Sequence, residues 1–181
     1  MDAKTYQKLK SKKRNTLTLV LFVIYLLALT WLILFKLQFA VPNRSEGRIV
    51  NLIPLLGSFD AGEVLRFAEI RVNLLAFIPF GIYICMLQAK WPFGKKVVAI
   101  AALSLAFEII QFLFAIGRAD ATDVLSNTLG GMLGIGVYAL LCKVLKDRTN
   151  QVINGLAAVF TVLAVFLVAL LLANHRWVII R

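Results

Sequence analysis

The sequence predicts an all-α protein, a polytopic membrane bundle of about five transmembrane helices with its N-terminus inside and its C-terminus outside. Three observations carry this expectation. The chain is 61% hydrophobic and only 16% charged, against roughly 45–50% and 25% for soluble domains, and its mean hydropathy is +0.86. Five apolar runs approach the ~20 helical residues that a bilayer crossing needs. Charges fall between these runs, in short clusters. Disorder is excluded, because disordered chains are poor in apolar residues, and a soluble enzyme of 181 residues does not fit.

The first run is Thr16 to Phe35, behind a basic N-terminal segment, residues 1–15, expected in the cytoplasm. Its apolar stretch exceeds the 7–15 residues of a cleaved signal peptide and no A-x-A-like site follows, so it reads as an uncleaved anchor. The second, about Val72 to Leu87, is short and broken by Pro79. Val97 to Ile116 follows, with Glu108 inside it. The fourth, about Thr122 to Leu145, is glycine-rich in its middle, and the fifth, Val152 to Ala173, has no internal charge. Residues 16–181 thus form one membrane domain.

Orientation follows from the basic residues. With the N-terminus inside, twelve of the twenty lysines and arginines lie in inner segments, against Asp2 and Asp147 as the inner acids. That places nearly all of the net charge of +11 on the inner side, as the positive-inside rule requires. The same placement argues against a nucleic-acid partner, which would need the charge gathered on one face. Cys85 and Cys142 sit singly in apolar runs and the chain has one histidine, so neither a disulfide framework nor a Cys/His metal site is indicated, and no cofactor is expected. Both thiols read as buried and inert.

The connection from about Lys36 to Arg71 is the one long loop and lies outside. Within it, Ile49 to Phe59 is too short to span and fits an interfacial segment, a lid or a re-entrant turn.

Acids inside membrane helices cost roughly 2.5–3.5 kcal/mol near the centre and usually have a job. Glu108 sits ~12 Å from the outer end of its run at 1.5 Å per residue. Ser104, Glu108, Gln111 and Ala115 follow helical spacing and form one small or polar stripe. On the next run Asp120, Asp123, Asn127, Gly130 and Gly134 do the same, polar outside and glycine inside. Two such stripes on consecutive helices most economically face each other, which would open a polar cleft outward. Arg71, Asn73, Asn51 and Arg118 are further candidates on that side. Blander readings stand beside these. Asp120 with Asp123 fits an N-cap and its third-position acid; Arg71 and Arg118 fit headgroup anchors; Asn73 and Asn127 fit interhelical hydrogen bonds; Asn51 fits loop structure. Glu108 with Gln111 is the pair hardest to explain by structure alone, and Glu108 is the candidate catalytic group.

The stretch FEIIQFLFAIGRADATDVLSNTLGGMLGIGVY, Phe107 to Tyr138, resembles the signature of the VanZ-like, teicoplanin-resistance family. Glu108 and Gln111 match its E-x-x-Q, and Arg118, Asp120, Asp123, Asn127, Gly130 or Gly131, and Gly134 match the polar and glycine positions that follow, with one residue fewer before the first acid. NLIP from Asn51 and R-x-N-x-L-x-F-x-P-F-G from Arg71 to Gly81 are also similar, so the resemblance covers about residues 51–138. It implies a small bacterial plasma-membrane protein, in some members linked to reduced sensitivity to teicoplanin-type lipoglycopeptides, with no agreed activity.

Three functions compete. One is a non-catalytic protein that binds membrane lipids or a lipid-linked cell-wall precursor by its headgroup, with Arg71 and Arg118 on phosphate. Another is an intramembrane enzyme acting on a lipid-linked phosphate, with Glu108 as general acid or base and no obvious nucleophile. The third is a proton-coupled carrier, for which a polar path through the inner half is lacking. Binding ranks first. The ligand's identity and the oligomeric state are not legible.

Overall fold

The computed structural model describes residues 3–35, 50–51, 63–114 and 119–179, with side chains described within 16–34, 67–114 and 120–170. Among these residues the elements run α1 (Ala3–Phe35), β1 (Val50–Asn51), α2 (Glu63–Leu87), α3 (Phe93–Phe114), β2 (Ala119–Asp120), α4 (Ala121–Leu145), a 3-10 turn (Lys146–Arg148) and α5 (Thr149–Ile179). The protein is a helical membrane bundle, and β1 and β2 are a two-residue parallel bridge within it.

Four stretches are long and apolar enough to cross a membrane: Thr16–Leu34, Phe67–Leu87, Phe93–Phe114 and the fifty-residue Ala121–Leu170. At 1.5 Å per residue the last would measure about 75 Å, more than twice a bilayer's hydrocarbon core. It is broken at Lys146, where φ is 49°. Thr149 re-closes the chain there by donating to the Lys146 carbonyl at 2.7 Å, so α4 and α5 are separate helices.

Two elements depart from expectation. α2 begins at Glu63, nine residues before Val72, because Arg66, Glu69 and Arg71 lower the hydropathy of a segment that is nonetheless helical. It also continues through Pro79 rather than breaking there. The lost hydrogen bond falls on the carbonyl of Leu75, a side chain on the exposed face of the helix.

Glycine sets the helix order. A Cβ on Gly130 would collide with the backbone of Leu74, one on Gly134 with that of Ile78, and one on Gly81 with the carbonyl of Gly131. Four residues along α4, from Gly130 to Gly134, the partner moves four residues along α2, from Leu74 to Ile78, so the helices are parallel and touch backbone to backbone, as small residues allow in membranes. α3 lies antiparallel to α4, with Ile100 against Gly131 and Ser104 against Asn127. The apolar core joins α1, α2 and α3 through Leu29, Ile33, Phe77, Ile84, Ile100 and Phe107. The ring of Phe77 meets Phe107 edge-on at 6.4 Å and 84°, the geometry that ring quadrupoles favour. α5 buries Ile153 and Asn154 at its start; beyond them its described side chains are half-buried or exposed. Cys85 is buried, whereas Cys142, expected to be buried, is only half so.

Candidate functional site

The polar residues gather at the end of the bundle where α3 finishes and α4 begins. Asp120 starts α4 as its N-cap: its backbone is extended (φ −126°, ψ 122°) and its Oδ1 accepts from the Thr122 N–H at 2.8 Å. That bond satisfies one of the four amides a helix start leaves open. The Asp120 N–H, in turn, donates to Glu108 Oε2 at 2.8 Å. One residue therefore caps α4 and ties it to the carboxylate of α3.

The two stripes interleave over three helices rather than two. Asn127 Nδ2 donates to Ser104 Oγ at 2.8 Å, joining α4 to α3. Asp123, one turn earlier on α4, accepts instead from Asn73 Nδ2 of α2 at 2.8 Å. The glycines Gly130 and Gly134 also serve α2, not α3. Gln111 reaches a fourth helix, donating from Nε2 to the Ile33 carbonyl of α1 at 2.9 Å. Ser104 and Asn127 have no exposed surface and Gln111 has 1%, so these side chains interlock as a buried layer and do not line the open cleft expected between α3 and α4. The groove that runs along α4 beside Leu74, about 630 Å³, is apolar, with Leu129, Met132 and Leu140 among its walls.

The remaining candidates fall as follows. Asn51 lies in β1, and its backbone pairs in register with Asp120, which brings the long connection to the α4 cap. Its side chain, and all of Arg118 and Ala115, lie outside the described residues, as does most of the segment Ile49 to Phe59. Arg71 is exposed and its Nε donates to the Phe67 carbonyl of its own helix at 3.1 Å. It stands two residues from Asn73, about 200° around α2, and does not join the layer. Glu108, Gln111, Asn73, Asp120, Asp123 and Asn127 are brought together, with Ser104 among them.

Sequence reasoning missed the contribution of α1, which is a backbone carbonyl and carries no residue signal. It also missed a second polar contact at the opposite end, where buried Asn154 donates to Thr18 Oγ1 at 2.8 Å and Tyr138 donates to Asn150 Oδ1 at 3.0 Å. Isolated Thr18 and Asn154 within apolar runs were the available clue. Among the described residues no three His, Cys, Asp or Glu side chains cluster as metal ligands would.

An apolar helical bundle with hydrogen-bonding side chains interlocked at one end defines a helical membrane protein with a buried polar layer. The chain belongs to the VanZ/LLP1 family, whose model matches residues 22–143. It is similar to a curated relative named Protein VanZ, of Enterococcus faecium, at 39% identity over 130 residues, 71% of this chain and 77% of that protein. No solved structure matches it.

Proposed function

We propose that this is a multi-pass protein of a bacterial plasma membrane, N-terminus inside, whose polar site faces outward and binds the headgroup of an envelope lipid or lipid-linked cell-wall precursor. In that role it lowers sensitivity to teicoplanin-type lipoglycopeptides, as the family resemblance suggests. The supporting observation is the Asn51–Asp120 register. The long outer connection and the α3–α4 connection meet at the residue that holds Glu108, so a headgroup arriving from outside meets backbone from both connections above the buried amides and carboxylates. Half-buried Asp120 and the two connections would offer the headgroup polar contacts, while the surrounding apolar surface takes its chain.

An intramembrane enzyme is the second reading. The Asp120 N–H bond favours it, because a carboxylate held at one oxygen is oriented for proton transfer through the other. The test is a photoactivatable lipid-linked cell-wall precursor in vesicles carrying the protein. Saturable crosslinking to α3 or α4 that is lost in Glu108→Leu supports binding. A changed precursor recovered from the same vesicles supports the enzyme. No saturable crosslink contradicts both.

A further inference from the structure

Arg71 and the apolar groove of α4 open on the same side of the bundle. Around α2, Leu74 has the buried Phe77 about 60° to one side and exposed Arg71 about 60° to the other. Leu74 walls the groove, so Arg71, three residues away on a neighbouring ridge, stands at its mouth. On α4 the groove residues Leu129, Leu133, Gly136 and Leu140 follow one another at helical spacing. They lie on the side away from Gly131 and its α3 neighbour Ile100. A Cβ on Gly136 would meet nothing within 4 Å, so the groove is open there.

Arg71 lies inside the apolar span Phe67–Leu87, about 6 Å from its start at 1.5 Å per residue. Its Nε donates to the Phe67 carbonyl, and no carboxylate pairs with its guanidinium among the described residues. Glu69 stands about 200° away around the helix. A cation that faces hydrocarbon reaches back toward the headgroups. Helical side chains lean toward the N-terminus, which for α2 is the nearer membrane surface. The remaining guanidinium N–H groups match the paired oxygens of a phosphate. Below them, Leu129 to Leu140 measures about 16 Å at 1.5 Å per residue, close to half of a bilayer's ~30 Å hydrocarbon core. Leu74 abuts Gly130, so the end of the groove at Leu129 is the one nearest Arg71. An anion at the mouth and a chain of single-leaflet length below it are the two halves of one lipid.

We propose that the α2–α4 groove is a lateral site for an anionic phospholipid of the leaflet that holds the start of α2, its phosphate on Arg71 and one acyl chain along Leu133, Gly136 and Leu140. That leaflet is the outer one in the orientation proposed above. The site lies on the outside of the bundle, apart from the buried layer, and stands whether or not a precursor headgroup binds near Asp120. The test uses the full-length protein in phosphatidylcholine vesicles, with Trp31→Phe, Trp91→Phe and Trp177→Phe and a single reporter introduced by Leu140→Trp. Chain-brominated phosphatidylglycerol should quench the reporter with about fivefold higher affinity than chain-brominated phosphatidylcholine, the effect of one basic residue on an anionic lipid. Arg71→Gln should abolish that preference, and so should Gly136→Leu, which fills the groove and leaves Arg71 in place. A reporter introduced instead by Leu163→Trp, on the exposed surface of α5, should show no preference. Equal quenching by the two lipids at Leu140→Trp would overturn the proposal. So would a preference that survives Arg71→Gln or Gly136→Leu, or one that is equally strong at Leu163→Trp.

Discussion

Asn73 of α2 and Asp123 of α4 are joined by a buried 2.8 Å hydrogen bond within a pair of parallel helices that glycine brings into backbone contact. The bond exists because Gly130 and Gly134 let α4 approach Leu74 and Ile78. A glycine contact thereby sets the position of a polar pair about two to three turns away along α4. Asn73→Leu removes the donor and should destabilise the protein by about 1–3 kcal/mol. The double variant with Asp123→Leu should lose less than the sum, with a coupling of about 1 kcal/mol. Reversible unfolding in mixed micelles measures this, and strict additivity would show that the bond contributes nothing.

Glycines of α4 should divide by face. Gly130→Ala and Gly134→Ala drive a methyl into the backbone of α2 and should cost roughly 1–3 kcal/mol as overpacking, with lower Tm and loss of the Asn73–Asp123 coupling. Gly136→Ala meets nothing within 4 Å and should be neutral or stabilising by about 0.5–1 kcal/mol, as expected for removing a helical glycine. Equal effects at Gly130 and Gly136 would mean that α2 and α4 are not in close contact.

Ser104 and Asn127 are neighbours across α3 and α4. In a background of Cys85→Ser and Cys142→Ser, the pair Ser104→Cys and Asn127→Cys should crosslink within one chain under mild oxidation. Leu105→Cys, on the exposed face of α3, should not crosslink with Asn127→Cys. Gel mobility under non-reducing conditions separates the outcomes.

The proposed orientation makes its own demand. Single cysteines at Asp60 and Arg176 should react with an impermeant maleimide added to intact cells, and one at Asp147 should react only after the membrane is opened. Labelling at Asp147 with silence at Asp60 would reverse the orientation.

Much of the bundle was legible because long apolar runs and the bilayer's thickness leave few alternatives. The α3 and α4 stripes were legible too: Ser104, Glu108, Gln111, Asp123, Asn127, Gly130 and Gly134 are all buried. Which helix each stripe faces was not, because helical spacing gives an angle and not a neighbour. The stripe of α4 is wide enough to turn Asn127 toward Ser104 and Asp123 toward Asn73. Packing of Gly130 on α2 decides that split, and no feature of α4 alone contains it. The start of α2 was hidden by the charges at Arg66, Glu69 and Arg71, which hydropathy counts against a helix. Pro79 misled for a similar reason, since a lost hydrogen bond does not end a helix already held by Gly81 against Gly131.

The most direct test of a functional polar layer is Glu108, compared as Gln, Asp and Leu variants for lipoglycopeptide sensitivity alongside membrane protein levels. Glu108→Gln replaces a carboxyl group with an amide of the same shape inside an apolar helix, so insertion should not suffer. With a functional carboxylate, Glu108→Gln abolishes the phenotype at normal abundance. Glu108→Asp should lose most of it as well, because a displacement of about 1 Å in a positioned site costs on the order of 100-fold. Glu108→Leu should lose both phenotype and some abundance, since the Asp120 N–H loses its acceptor. Undiminished function in Glu108→Gln, with loss confined to Glu108→Leu, would contradict a functional carboxylate and leave the layer as helix packing.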